Sequence, residues 1–159
     1  MPFVVSSSES PSFRGYLPTT ECRGVALAYA EVAAASPGSI DIAAQLAADL
    51  DNVMLDCHKP GWDGYGAEAI SLEAYWLAQR FIHRLPAGIP RPALSADPDG
   101  CVTFEWQVSP RRLLLVSVHP DYRIDYAALF GSAKNYGTEP FFDRLPTGLF
   151  DLIRRVYRA

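Results

Sequence analysis

No stretch of the sequence approaches the roughly 18 consecutive apolar residues that a membrane-spanning helix needs, so no span is expected. Cysteine is scarce. Cys22, Cys57 and Cys101 are too few and too scattered for a disulfide framework. Positive charge is also short: 14 Lys and Arg face 18 Asp and Glu, leaving a formal charge of −4. General nucleic-acid binding and anionic-membrane binding both depend on positive charge and are disfavoured by this balance. The opening Met-Pro-Phe-Val-Val-Ser-Ser-Ser has neither a basic segment nor a long apolar run, so no secretory signal is expected and the reading is cytoplasmic. His58, His83 and His119 show none of the usual close ligand spacings, so neither metal nor cofactor is expected.

What is present is ordinary globular material. With 159 residues, 49% hydrophobic and 20% charged, one domain with its own core is expected. Residues 1–20, rich in Ser and holding Pro2, Pro11 and Pro18, read as an irregular arm, and residues 21–159 as the domain. The Ala-rich stretch Arg23 to Ala35 reads as helical until Pro37-Gly38 stops it. Ser39 is the expected N-cap of a second helix, in which Ile42, Ala43, Leu46, Leu50, Val53 and Met54 recur at helical spacing as far as Asp56. Ser71 is expected to cap another helix, with Tyr75, Ala78, Phe81, Ile82 and Leu85 in one stripe; Pro86 to Pro92 ends it.

The period then changes. Asp97-Pro98-Asp99-Gly100 is a turn by composition. Val102, Phe104 and Trp106 alternate with polar residues, as in a strand with one buried face. Leu113 to Val118 is a continuous apolar run, expected as a central strand covered on both faces. Tyr122, Ile124 and Tyr126 mark a third strand, and Asp143 to Tyr157 a closing amphipathic helix ending in Arg154, Arg155 and Arg158. Those arginines suit a helix C-terminus electrostatically. The expected fold is α+β: N-terminal helices, a three- to four-stranded antiparallel meander, and a C-terminal helix packed on one sheet face.

The most distinctive local pattern is Trp62-Asp63-Gly64-Tyr65-Gly66-Ala67. The glycines permit positive φ, Asp63 can accept from its own downstream amides, and the rings of Trp62 and Tyr65 can pack against flanking helices. A tight corner between two helices needs nothing more. It is not a phosphate loop, having no Gly-Lys-Ser/Thr and no preceding strand. Together with Pro98, Gly100, Glu105 and Trp106, this segment resembles a family of small bacterial proteins from mobile or variable genome regions. The family carries Trp-Asp-Gly-x-Gly-Ala ahead of a helix, then Pro-x-Gly and a strand ending Glu-Trp. The resemblance covers roughly residues 50–128. No activity is assigned to that family; its setting implies a role in bacterial conflict, such as phage defence, counter-defence or a toxin–antitoxin pair.

Three constellations carry potential chemistry. Cys57-His58 near Asp63 has the residue types of a thiol nucleophile with base and orienter, but neighbouring helical residues point about 100° apart and do not face each other. Thr103, Glu105, Arg123 and Asp125 are expected together on the sheet face opposite the helices, as an acid/base set or as cross-strand ion pairs. Finally, Trp62, Tyr65, Tyr75, Trp76, Trp106, Tyr122, Tyr126 and Tyr136 are more aromatics than so small a core can fully bury. Because Trp and Tyr dominate interface hot spots, the expected function is non-enzymatic: a protein-interaction domain, such as an inhibitor, contacting another protein or itself. Its expected surface is Trp62, Asp63, Tyr65, Glu105 and Trp106, with no catalytic residues. The alternative is a small hydrolase or nuclease using Asp63 with Glu105 or a histidine.

Overall fold

The computed structural model describes residues 41–158. The expected arm, the Arg23 to Ala35 helix and the Ser39 cap lie outside them. The order is α1 (Ile42–Cys57), α2 (Leu72–Arg84), β1 (Ala93–Ala96), β2 (Val102–Ser109), β3 (Arg112–His119), β4 (Arg123–Phe130), β5 (Ala133–Pro140) and α3 (Thr147–Tyr157). The strands form one antiparallel sheet in sequence order, β1-β2-β3-β4-β5. The fold is therefore α+β, with five strands rather than three or four.

The first two helices start where a side chain caps their backbone donors. Asp41, rather than the expected Ser39, caps α1, its carboxylate accepting from the Ala43 amide at 3.1 Å. Ser71 caps α2 as expected, accepting from Ala74 at 3.1 Å. The last helix begins at Thr147, later than Asp143, with Pro146 as its N-cap. Proline has no amide hydrogen to leave unsatisfied there.

The sheet is two-faced. Val102, Phe104 and Trp106 of β2, Leu114, Val116 and Val118 of β3, and Ile124 and Ala128 of β4 share one core with Leu46 and Leu50 of α1, Phe81 and Ile82 of α2, and Leu149 and Ile153 of α3. Phe81 packs against Phe104 with ring centroids 4.5 Å apart. Among the described residues, the helices lie on this face alone. Consequently Leu113 and Leu115, which alternate with the core residues of β3, are only half buried. The apolar run of β3 is thus a central strand, but not one covered on both faces by the described residues.

The register fixes what shares the helix-free face. One cross-strand row is Ser95, Thr103, Ser117, Asp125 and Thr138; the next is Ala93, Glu105, Leu115, Ala127 and Tyr136. Thr103, Glu105, Arg123 and Asp125 do project together on that face, as the alternation implied.

Candidate functional site

Two groupings emerge, a glycine-rich corner and a polar cluster at one end of the helix-free face. The corner is held almost wholly by backbone. Gly61, Gly64 and Gly66 all have positive φ. The Gly61 amide donates to the Ala67 carbonyl at 2.7 Å and the Ile70 amide to that of Cys57 at 3.0 Å. One carboxylate oxygen of Asp63 accepts from the Tyr65 amide at 2.8 Å and the Ala67 amide at 3.0 Å. These bonds, Ala67 first, hold the Asp63 carboxyl below the usual carboxylate range. Asp63 thus shapes the loop, and Ser71 caps the helix that follows.

Half-buried Trp62 donates its indole N–H to the Glu68 carbonyl at 2.9 Å. Tyr65 projects into solvent, 88% exposed. The Glu68 amide in turn donates to the Pro98 carbonyl at 2.8 Å. The two sequence segments singled out above, 62–67 and 98–106, are therefore joined in space through Glu68.

Trp106 differs from Trp62. Its ring is fully buried, stacks on Phe104 at 6.5 Å and donates to the Pro90 carbonyl at 2.8 Å. It belongs to the core rather than to an accessible surface. Glu105, on the opposite face of β2, is half buried.

The cysteine and histidine flanking the corner are committed elsewhere. Cys57 is buried, and His58 places Nδ1 2.6 Å from the Leu55 carbonyl. His83 places Nδ1 2.7 Å from the Gln79 carbonyl.

The sequence reading placed Thr103, Arg123 and Asp125 of the polar cluster on the helix-free face but missed Asp97, Asp99, Cys101, Ser117 and His119. Val102 pairs with Val118, and the same register taken one residue further puts Cys101 opposite His119. Asp97 and Asp99 of the β1–β2 turn close over this pair. The Asp99 carboxylate, the Cys101 thiol and a ring nitrogen of His119 lie within 4.8 Å of one another. Around them, Asp97 Oδ2 accepts from the Thr103 hydroxyl at 2.6 Å, and Thr103 and Ser117 hydroxyls lie 2.7 Å apart. Burial, then the negative charge of Asp97, pushes the Cys101 thiol far up. His119 sits between two carboxylates: Nδ1 is 4.0 Å from Asp99 and Nε2 is 2.9 Å from Asp125 Oδ2. That second approach is poorly directed, and among the described residues neither His119 Nε2 nor Asp125 Oδ1 has a hydrogen-bond partner. The Arg123 guanidinium donates to His119 Nδ1 at 3.2 Å.

One sequence signal was available. Asp97, Asp99, Cys101 and Thr103 alternate along the turn and β2, but linking them to His119 required the hairpin register.

Elsewhere, Tyr126, Asn135, Glu139, Leu149 and Arg155 line a shallow cleft of about 350 Å³ between β4–β5 and α3. No helix of the described residues is long and apolar enough to cross a membrane. No family model matches the chain, and no curated protein or solved structure matches it either.

Proposed function

We propose that this chain is a protein-binding domain that meets its partner along the exposed side of α2. The observation that carries the reading is a row of exposed side chains on α2, two of them large and apolar and the third an arginine. Leu72, Trp76 and Arg80 follow one another at helical spacing, and both Leu72 and Trp76 are more than half exposed, Trp76 at 64%. Arg80 donates to the Phe142 carbonyl at 2.8 Å, and the Phe142 ring stacks on Tyr122 at 5.7 Å. Exposed Leu55 of α1 extends the line at its other end. It falls between two contacts joining the helices, Cys57 O to the Ile70 amide and Asp51 to the Tyr75 hydroxyl.

Large rings held in place at a surface are the residue types that anchor protein interfaces, and a flanking Arg adds directional hydrogen bonding. Tyr65, exposed at the glycine corner, and half-buried Trp62 beside it are further candidate contacts; Trp106 is not, since it is fully buried. The hydrolase alternative has less support, because Asp63 is occupied by two backbone amides. A role as inhibitor or partner protein in bacterial conflict remains part of the same proposal and depends on the partner's identity.

The test compares the wild-type chain with a Trp76→Glu/Phe142→Glu variant whose fold is checked by circular dichroism. Both are used to capture partners from the source cell, and both are weighed in solution. A stoichiometric partner lost in the variant supports the reading. A dimer that becomes monomeric names a second copy as the partner. A partner retained by the variant overturns this surface.

A further inference from the structure

We propose that Asp99, Cys101 and His119 bind a single divalent cation, Zn²⁺ by donor chemistry, at the end of the sheet where the β1–β2 turn meets β3 and β4. The three donor atoms lie within 4.8 Å of one another. Donors around one tetrahedral zinc are about 3.4–3.8 Å apart, given ligand bonds of about 2.0–2.3 Å. A contraction of about an ångström therefore brings the three into bonding range, with a fourth position left for water. Asp99, exposed at the turn, accepts from the Cys101 amide with Oδ1 at 3.2 Å and keeps Oδ2 for the ion. Thiol sulfur, imidazole nitrogen and one carboxylate oxygen together suit zinc better than magnesium or calcium, which take oxygen.

A second, independent observation is the state of His119. Its side chain is only 10% exposed, yet it stands between carboxylates on both sides. Nδ1 accepts from Arg123, so the ring proton sits on Nε2, 2.9 Å from Asp125 Oδ2 but poorly aligned with it. In metal sites the distal ring nitrogen of a histidine donates to a carboxylate that fixes tautomer and orientation, and Asp125 stands within reach of that role. Nε2 and Asp125 Oδ1 are nevertheless left without a hydrogen bond. A cation held by Asp99 and Cys101 would take the Nδ1 lone pair in place of Arg123.

Arg123 explains how the site stands without metal. Its guanidinium, 44% exposed, reaches His119 Nδ1 and lies 3.8 Å from the Asp121 and Asp125 carboxylates. It places a positive charge where the metal's would be and can swing into solvent when the metal arrives. A nucleophilic role for Cys101 is less suited to this geometry. The thiol is 1% exposed and flanked by two aspartates, so substrate does not reach it.

The experiment uses the full chain, reduced and stripped with chelator, titrated with Zn²⁺ by calorimetry and with Co²⁺ by absorption. One ion per chain is expected, with a thiolate-to-cobalt charge-transfer band that Cys101→Ser removes and Cys57→Ser keeps. Asp99→Asn changes an exposed residue and keeps the fold; it is expected to weaken Zn²⁺ binding at least tenfold. Asp125→Asn is expected to weaken it by about 10–100-fold, the usual range for a supporting carboxylate. Arg123→Gln is expected to tighten binding, because the competing cation is gone; a merely structural arginine would not do so. The proposal is overturned if Zn²⁺ does not bind, if the cobalt band survives Cys101→Ser, or if Asp99→Asn binds as tightly as wild type.

Discussion

The ring of Tyr126 on β4 lies across Gly137, the residue directly opposite it on β5, so closely that a Cβ at 137 would fall 2.4 Å from the Tyr126 hydroxyl oxygen. The glycine leaves a slot on an edge strand, and a partly buried ring fills it. Gly137→Ala is therefore expected to destabilise the domain by about 1–3 kcal/mol, the usual range for overpacking. In a Tyr126→Ala background the same substitution should cost much less. Chemical denaturation of the four proteins measures the coupling; equal costs in both backgrounds would show that the ring moves aside freely.

Much of this fold is written in periodicity, and the exceptions have physical causes. α2 was legible because Ser71 caps it and its apolar stripe is regular. β2 was legible because Val102, Phe104 and Trp106 alternate with outward residues. β5 was not, since Lys134, Asn135, Gly137 and Glu139 have little strand propensity and no position of the strand is fully buried. β1 is four residues long and follows a proline-rich stretch, leaving too little pattern to read. The exposed line on α2 was hidden for another reason: composition counted the rings, but only packing shows that Trp106 is inside and Trp76 outside. Cys101 and His119, 18 positions apart in the sequence, meet only through the β2–β3 register.

Gly100 is expected to tolerate no side chain. Its φ is +80°, and an added Cβ would stand 2.9 Å from the Ala69 carbonyl oxygen, a backbone atom that cannot rotate away. Gly100→Ala should cost on the order of 1–3 kcal/mol through left-handed backbone strain and this contact. Because the Glu68 amide bonds Pro98 beside it, hydrogen exchange at Glu68 should accelerate as well. Unchanged stability together with unchanged exchange would mean that the turn and the glycine corner are not mechanically joined.

Asp63 should make the corner sensitive to acid. Its pKa is lowered in the folded chain, by the Ala67 and Tyr65 amides first. A depressed carboxyl stabilises the fold above its unfolded value of about 3.9 and loses that effect as pH falls through the lower folded value. Asp63→Ala should thus melt below wild type near neutral pH, with the gap closing in acid. Asp63→Asn keeps an acceptor and drops the charge, so it should retain part of the stability without the pH dependence. A gap that stays constant down to strong acid would contradict the role assigned to the carboxylate.

Two tryptophans separate folding from binding. Trp106 is fully buried between Phe104 and the Pro90 carbonyl, and Trp106→Ala is expected to cost about 3–5 kcal/mol by cavity formation alone. Trp76 makes one edge contact, with Tyr75 at 5.3 Å, and otherwise faces solvent. Trp76→Ala should leave stability within about 0.5 kcal/mol, as surface substitutions do, while weakening capture of the partner. Should Trp76→Ala instead destabilise the domain as Trp106→Ala does, the exposed line would be part of the folded structure, and the interaction surface would have to be sought on the helix-free face of the sheet.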